Sequence, residues 1–173
     1  MRGRDISKNV REWRASDGRL IALLVRGDFA EYQAFRPFVE SAVDRAHLTA
    51  AYAGRDPEWE RRTKAHLTED ALPMQITILN REKGSTVAPH YHVADRQPQS
   101  PTRHQIMLCE RGACKVGIYT REGEHLDDVS IYPRDFILLC EGHAFEVVGD
   151  DTKLIEIKQG PFPETDAQDM VRL

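Results

Sequence analysis

Short apolar runs separated by polar, glycine-rich punctuation dominate this chain, with one interval of different rhythm. Six successive apolar residues, LIALLV at 20–25, predict a buried strand. A turn at Ser16-Asp17-Gly18 precedes it and Gly27-Asp28 closes it. Residues 1–18 are polar throughout and predict no element. From Phe29 the period changes: Phe38, Val39, Ala42, Val43 and Ala46 repeat at helical spacing over 30–53, with Gly54 as C-cap. Pro37 fits the first turn of that helix, which makes 30–36 a separate short turn. Asp56-Pro57-Glu58 reads as an N-cap, a proline at the first helical position and an acid in the first turn, so a second helix runs to about Leu67. A helical hairpin is therefore expected over 30–70, with His47 and His66 as ordinary surface residues. After Met74 the runs shorten again: MQITILN, STVAPHYHV, HQIMLCE, ACKVGIYT, LDDVSIY, DFILLC, HAFEVV and KLIEIK. Seven or eight strands at this spacing indicate a mostly β sandwich or barrel.

Composition narrows the class. At 173 residues with 40% apolar and 30% charged residues, the chain is about one globular domain long. A net charge of −4 gives no basic footprint for nucleic acid or anionic lipid. No run is long enough to span a bilayer, and the polar start lacks a secretory pattern, so a soluble cytoplasmic protein is expected. Cys109, Cys114 and Cys140 are an odd set without metal spacing and read as small core residues, with a redox role for Cys109 as the alternative.

Candidate chemistry concentrates in residues 84–112 and again near 143. On a strand, His90 and His92 share one face, and two neutral imidazoles on one face can grip a single metal ion. Twelve residues, VADRQPQSPTRH, separate them from Gln105; this polar, proline-containing stretch predicts a loop that is either a substrate contact or plain surface. His143 lies in another strand-like run. In KLIEIK, Glu156 and Lys158 share a face that either lines a cavity or meets solvent, and the solvated arrangement is the simpler one.

These residues resemble the motifs of the cupin superfamily. Gly84, five residues, then His90-Tyr91-His92, and later Gln105, six residues, then Gly112, follow its first motif, with Gln105 where glutamate is usual and a longer gap before it. Arg134-Asp135 through Gly142-His143 follows its second motif, with Arg134 in place of glycine and the proline missing. The resemblance covers about residues 71–162. It implies a double-stranded β-helix (jelly-roll) barrel holding one divalent metal ion, Fe(II) before Zn, Ni or Mn. His90, His92 and His143 would be its ligands, and Gln105 would lie in or just outside the ligand set. It also implies a homodimer. Counting back from Gly112 points Gln105 inward, leaving His104 outward as an exposed or dimer-interface residue. A shift of one residue would reverse them and make a four-histidine site.

The organisation expected is an N-terminal strand and helical extension (1–70), a cupin barrel (71–162) and a C-terminal tail (163–173), together one structural domain. The function expected is a metal-dependent enzyme acting on a small molecule. An iron(II) three-histidine oxygenase comes first, with Gln105 orienting oxygen or substrate. The alternatives are a redox-neutral isomerase, epimerase or lyase on a sugar or oxo-acid, with Glu156 moving the proton, and a non-catalytic binding barrel.

Overall fold

A computed structural model describes residues 3–35, 63–69, 71–81, 83–84, 89, 100–160 and 171–173. Two compact units emerge, one from residues 1–30 with 101–173 and the other from 31–100.

The first unit is antiparallel β throughout. Strands β1 (Arg4–Ser7), β2 (Val10–Arg14) and β3 (Leu20–Val25) precede the second unit in sequence. After it come β6 (Gln105–Arg111), β7 (Cys114–Tyr119), β8 (His125–Ile131), β9 (Phe136–Leu139), β10 (His143–Val147) and β11 (Lys153–Lys158). They form a six-stranded sheet, β1-β2-β3-β9-β6-β11, and a three-stranded sheet, β10-β7-β8. Every strand expected between 104 and 158 is present. The expected strand at 20–25 is also present, but it pairs with β9 inside the larger sheet. Strands β1 and β2 were not expected. The charged residues between Val10 and Trp13 hide an alternation whose inward member, Trp13, is 2% exposed.

One core joins the two sheets. Trp13, Ala22, Leu24, Ile137, Leu139, Met107 and Cys109 of the larger sheet meet Cys114, Val116, Ile118, Val129 and Ile131 of the smaller. All three cysteines are buried and free, in keeping with core residues. Burial raises each thiol's pKa, to about 12 for Cys140, so each stays protonated. Directly opposed residues of antiparallel strands share a face. The inner face of the larger sheet therefore carries the row Trp13, Ala22, Leu139, Gln105, Lys158, and beside it the row Arg11, Leu24, Ile137, Met107, Glu156. Its outer face is apolar too: Leu23, Val25 and Leu138 are buried, which explains the unbroken run in β3. Hydrogen bonding between strands does not close the sheets into a barrel among the described residues.

The turn into β9 is tied to β3. Tyr132-Pro133-Arg134-Asp135 is a tight turn closed by the Asp135 N–H donating to the Tyr132 carbonyl (2.9 Å). Arg134 stands at its third position with φ +75°, a conformation usually left to glycine. It is the position at which the second motif carries glycine. The buried Asp135 carboxylate accepts from Arg26 (2.6 Å), the Gly27 N–H (2.9 Å) and the Tyr132 N–H (3.0 Å).

The second unit contains a hairpin, β4 (Lys64–His66) with β5 (Thr77–Leu79), and a short 3-10 turn at Tyr32–Ala34. The short turn agrees with the separate element expected ahead of Pro37. The second helix does not extend to Leu67: residues 64–66 are strand, because Ala65 and Leu67 are buried alternately with Lys64 and His66 and pairing with β5 takes up their backbone groups. The remainder of the expected hairpin, 36–62, lies outside the described residues. No helix among the described residues is long and apolar enough to cross a membrane.

Candidate functional site

Gln105 begins β6 with its side chain on the inner face, as the count from Gly112 predicts, and is 4% exposed. His143 begins β10, opposite the buried Ile118, so it too points inward, from the smaller sheet. The two meet across the sandwich. The Gln105 amide nitrogen lies 2.6 Å from His143 Nε2, and His143 Nδ1 lies 2.9 Å from the Glu141 carbonyl oxygen. A carbonyl only accepts, so Nδ1 carries the hydrogen and Nε2 holds a lone pair into which the Gln105 amide donates.

The loop that carries His143 is fixed at three successive carbonyls. Cys140 O accepts from Thr102 Oγ1 (2.5 Å), Glu141 O from the imidazole, and Gly142 O from the Tyr119 N–H (2.8 Å). The Glu141 side chain accepts from the Arg121 N–H (2.9 Å), which holds the same loop from its other side. Gly142 is closely surrounded: a Cβ there would stand 2.5 Å from Leu173 Cδ1 and 3.0 Å from both Thr120 O and Tyr119 Cβ, so a side chain requires its neighbours to shift. Glu141 was not singled out in the sequence; the signal was its place just before Gly142-His143.

Burial lowers the His143 pKa by disfavouring the imidazolium. The Glu141 carbonyl and the Glu156 charge act the other way, and the Lys158 charge adds to the lowering. Glu156 and Lys158 thus lie within electrostatic reach of the imidazole. They stand on the inner face of β11, opposite Met107 and Gln105, with side chains 43% and 29% exposed. The solvated arrangement expected for them agrees with their exposure, although both stand on the inner-face side of this marginal strand. Their charged atoms are 3.8 Å apart, longer than a hydrogen bond.

His104 corrects an expectation. It lies on the outer face, as the count implied, yet it is 3% exposed, because that face is itself buried around Leu138 and Leu23. Burial lowers its pKa as well. His125 is a surface residue paired with Asp128 (3.1 Å). His90 and His92 lie outside the described residues, as does most of the 93–104 loop. Among the described residues no three histidine, cysteine or carboxylate side chains gather as a metal site.

The structure therefore brings Gln105, His143, Glu156 and Lys158 to one end of the space between the sheets. Such a group can hold a ligand through a neutral imidazole and an amide, beside one acid and one ammonium. Comparison with family models, curated proteins and solved structures returned no match to this chain.

Proposed function

We propose that this protein is a metal-dependent enzyme of the cupin type acting on a small molecule. The observation that carries the reading is the fixed tautomer of His143. Metal-binding histidines characteristically donate their second ring N–H to a carbonyl or carboxylate, which aims the other nitrogen at the ion. His143 has that arrangement through the Glu141 carbonyl, with Nε2 aimed inward. His143 would hold the ion with His90 and His92. A half-turn of the Gln105 amide exchanges its N–H for its oxygen, which gives a neutral fourth donor or a contact to substrate.

A three-histidine set without a carboxylate leaves the ion its full charge and favours anionic ligands; Fe(II) in such a site supplies oxygen chemistry. An iron(II) oxygenase is the first reading. In it, Gln105 orients substrate or oxygen. The inner-face position of Glu156 favours a second reading, a redox-neutral isomerase, epimerase or lyase in which this carboxylate takes and returns a substrate proton.

Metal analysis of protein purified without a tag and without air tests the proposal. About one iron per chain, lost in His90→Ala and His143→Ala, is the expected result. Zinc, nickel or manganese at that level moves the reading to the redox-neutral enzyme, and no metal after soaking removes both. The homodimer belongs to the same proposal: β11 is the margin of its sheet among the described residues, and Ile155 and Ile157 are exposed there. A monomer mass in light scattering would count against it.

A further inference from the structure

The His143 ring is aimed by one peptide group, and the residue after that peptide is glycine. Nδ1–H donates to the carbonyl of Glu141 at 2.9 Å. That carbonyl belongs to the peptide joining Glu141 to Gly142. A peptide followed by glycine turns over at little cost, because glycine accepts the positive φ that other residues avoid. Turned over, it would face Nδ1 with the Gly142 N–H. A ring nitrogen that faces a donor must accept, so Nδ1 would give its hydrogen to water and Nε2 would take one from water. The lone pair that faces Gln105 would then be gone. The tautomer of His143 therefore depends on what holds the Glu141 carbonyl in place.

The peptides on either side are fixed. Cys140 O accepts from Thr102 Oγ1 (2.5 Å) and Gly142 O from the Tyr119 N–H (2.8 Å). Between them, the Glu141 side chain is 5% exposed and is gripped through both oxygens. Oε2 accepts from the Arg121 N–H at 2.9 Å, and Oε1 lies 3.5 Å from Arg19 Nη1. Both anchors are themselves tied down: Glu122 pairs with Arg19 (3.2 Å) and with Arg121 (2.9 Å). Rotation about the N–Cα bond of Glu141 swings its side chain and its carbonyl together. Gripping the carboxylate therefore also holds the carbonyl.

We propose that Glu141 is the positioning residue of His143. Its carboxylate, held by Arg121 and Arg19, keeps its own carbonyl on Nδ1 and so leaves the Nε2 lone pair open to Gln105 or a ligand. This rests on His143 being a residue of the site, and it names what sets that residue's tautomer.

The ring nitrogen signals of His143 in NMR report the tautomer directly. They are read in the full, metal-free chain at about pH 8, where the imidazole is neutral. The wild type is expected to carry its hydrogen on Nδ1. Glu141→Ala should move the ratio of the two tautomers toward Nε2–H by about three- to tenfold, the net worth of one hydrogen bond. Glu141→Gln, whose amide oxygen still accepts from Arg121, should stay close to the wild type. If the alanine variant does not fold, Glu141→Asp is read instead; its shorter side chain withdraws from Arg121 and should shift the ratio the same way. An Nε2–H pattern in the wild type overturns the inference. So does an unchanged tautomer in a folded alanine or aspartate variant, since a carboxylate that only stabilises the loop leaves the ring hydrogen where it is. Metal content of the same samples separates this inference from the proposed function. A tautomer that follows Glu141 in a chain that takes up no metal sustains the positioning role and removes the metal reading. Metal held through His143, with a tautomer indifferent to Glu141, does the reverse.

Discussion

The two long sides of the sandwich, β2/β8 and β10/β11, do opposite things. On the β2/β8 side the sheets are joined. The Trp13 indole N–H donates to Asp127 (3.0 Å), Arg26 donates to the Ser130 carbonyl (2.9 Å), and Asp135 gathers three donors. On the β10/β11 side, inward-facing Phe145 and Val147 stay exposed, and the inner rows end in Glu156 and Lys158. A single row, Trp13, Ala22, Leu139, Gln105, Lys158, passes from a buried indole through an amide to an ammonium. Stability is concentrated at one end of that row and polar chemistry at the other, because burial that strengthens packing also makes an unpaired charge costly.

The contrast can be broken most strongly at its closed side. Trp13→Ala removes a fully packed indole and should cost about 3–5 kcal/mol, whereas Phe145→Ala on the open side should cost under about 1 kcal/mol. Urea unfolding checks both, and equal losses would mean that the open side is packed as tightly as the closed one. Next in size is Asp135→Ala, which leaves the Gly27 and Tyr132 N–H groups and the Arg26 guanidinium without their acceptor; a loss of about 2–4 kcal/mol with unchanged denaturant slope is expected.

A smaller effect separates the sides by pH. His104 and His143 are held below the ordinary imidazole value by burial. The unfolded chain therefore binds protons near pH 6.5 that the folded chain refuses. Stability should rise with pH between the depressed folded values and about 6.5, then level off. Unfolding free energies measured from pH 5 to 7.5 give the slope, and His104→Gln with His143→Gln should flatten it.

Much of the strand pattern was legible because alternation and turn residues are local signals. KLIEIK, HAFEVV and ACKVGIYT each carry their faces in their spelling, and Gly112 at φ +76° marks the turn between β6 and β7. The inward aim of Gln105 was implied by the motif spacing back from Gly112, which left a one-residue shift to His104 open. Strand β2 was missed because Arg11, Glu12 and Arg14 surround Trp13 with charge, and the Glu12 partners Arg4 and Arg14 become visible only once the chain is folded. The strand at 64–66 was missed because three residues are too few for a period to outweigh a good helix start nearby.

By itself, the sequence determined the strands from 104 to 158, the strand at 20–25 and the buried cysteines, since each depends on a period of two and on turn chemistry within a few residues. Only the tertiary structure decided that β3 lies beside β9, and that the outer face of the larger sheet is buried around Leu23 and Leu138, though exposed at Ile155 and Ile157, so that an outward His104 is not exposed. It also decided that His143 meets Gln105 from the opposite sheet. Those outcomes depend on which strands pair and which faces oppose, and pairing partners more than a hundred residues apart leave no periodic trace in the chain.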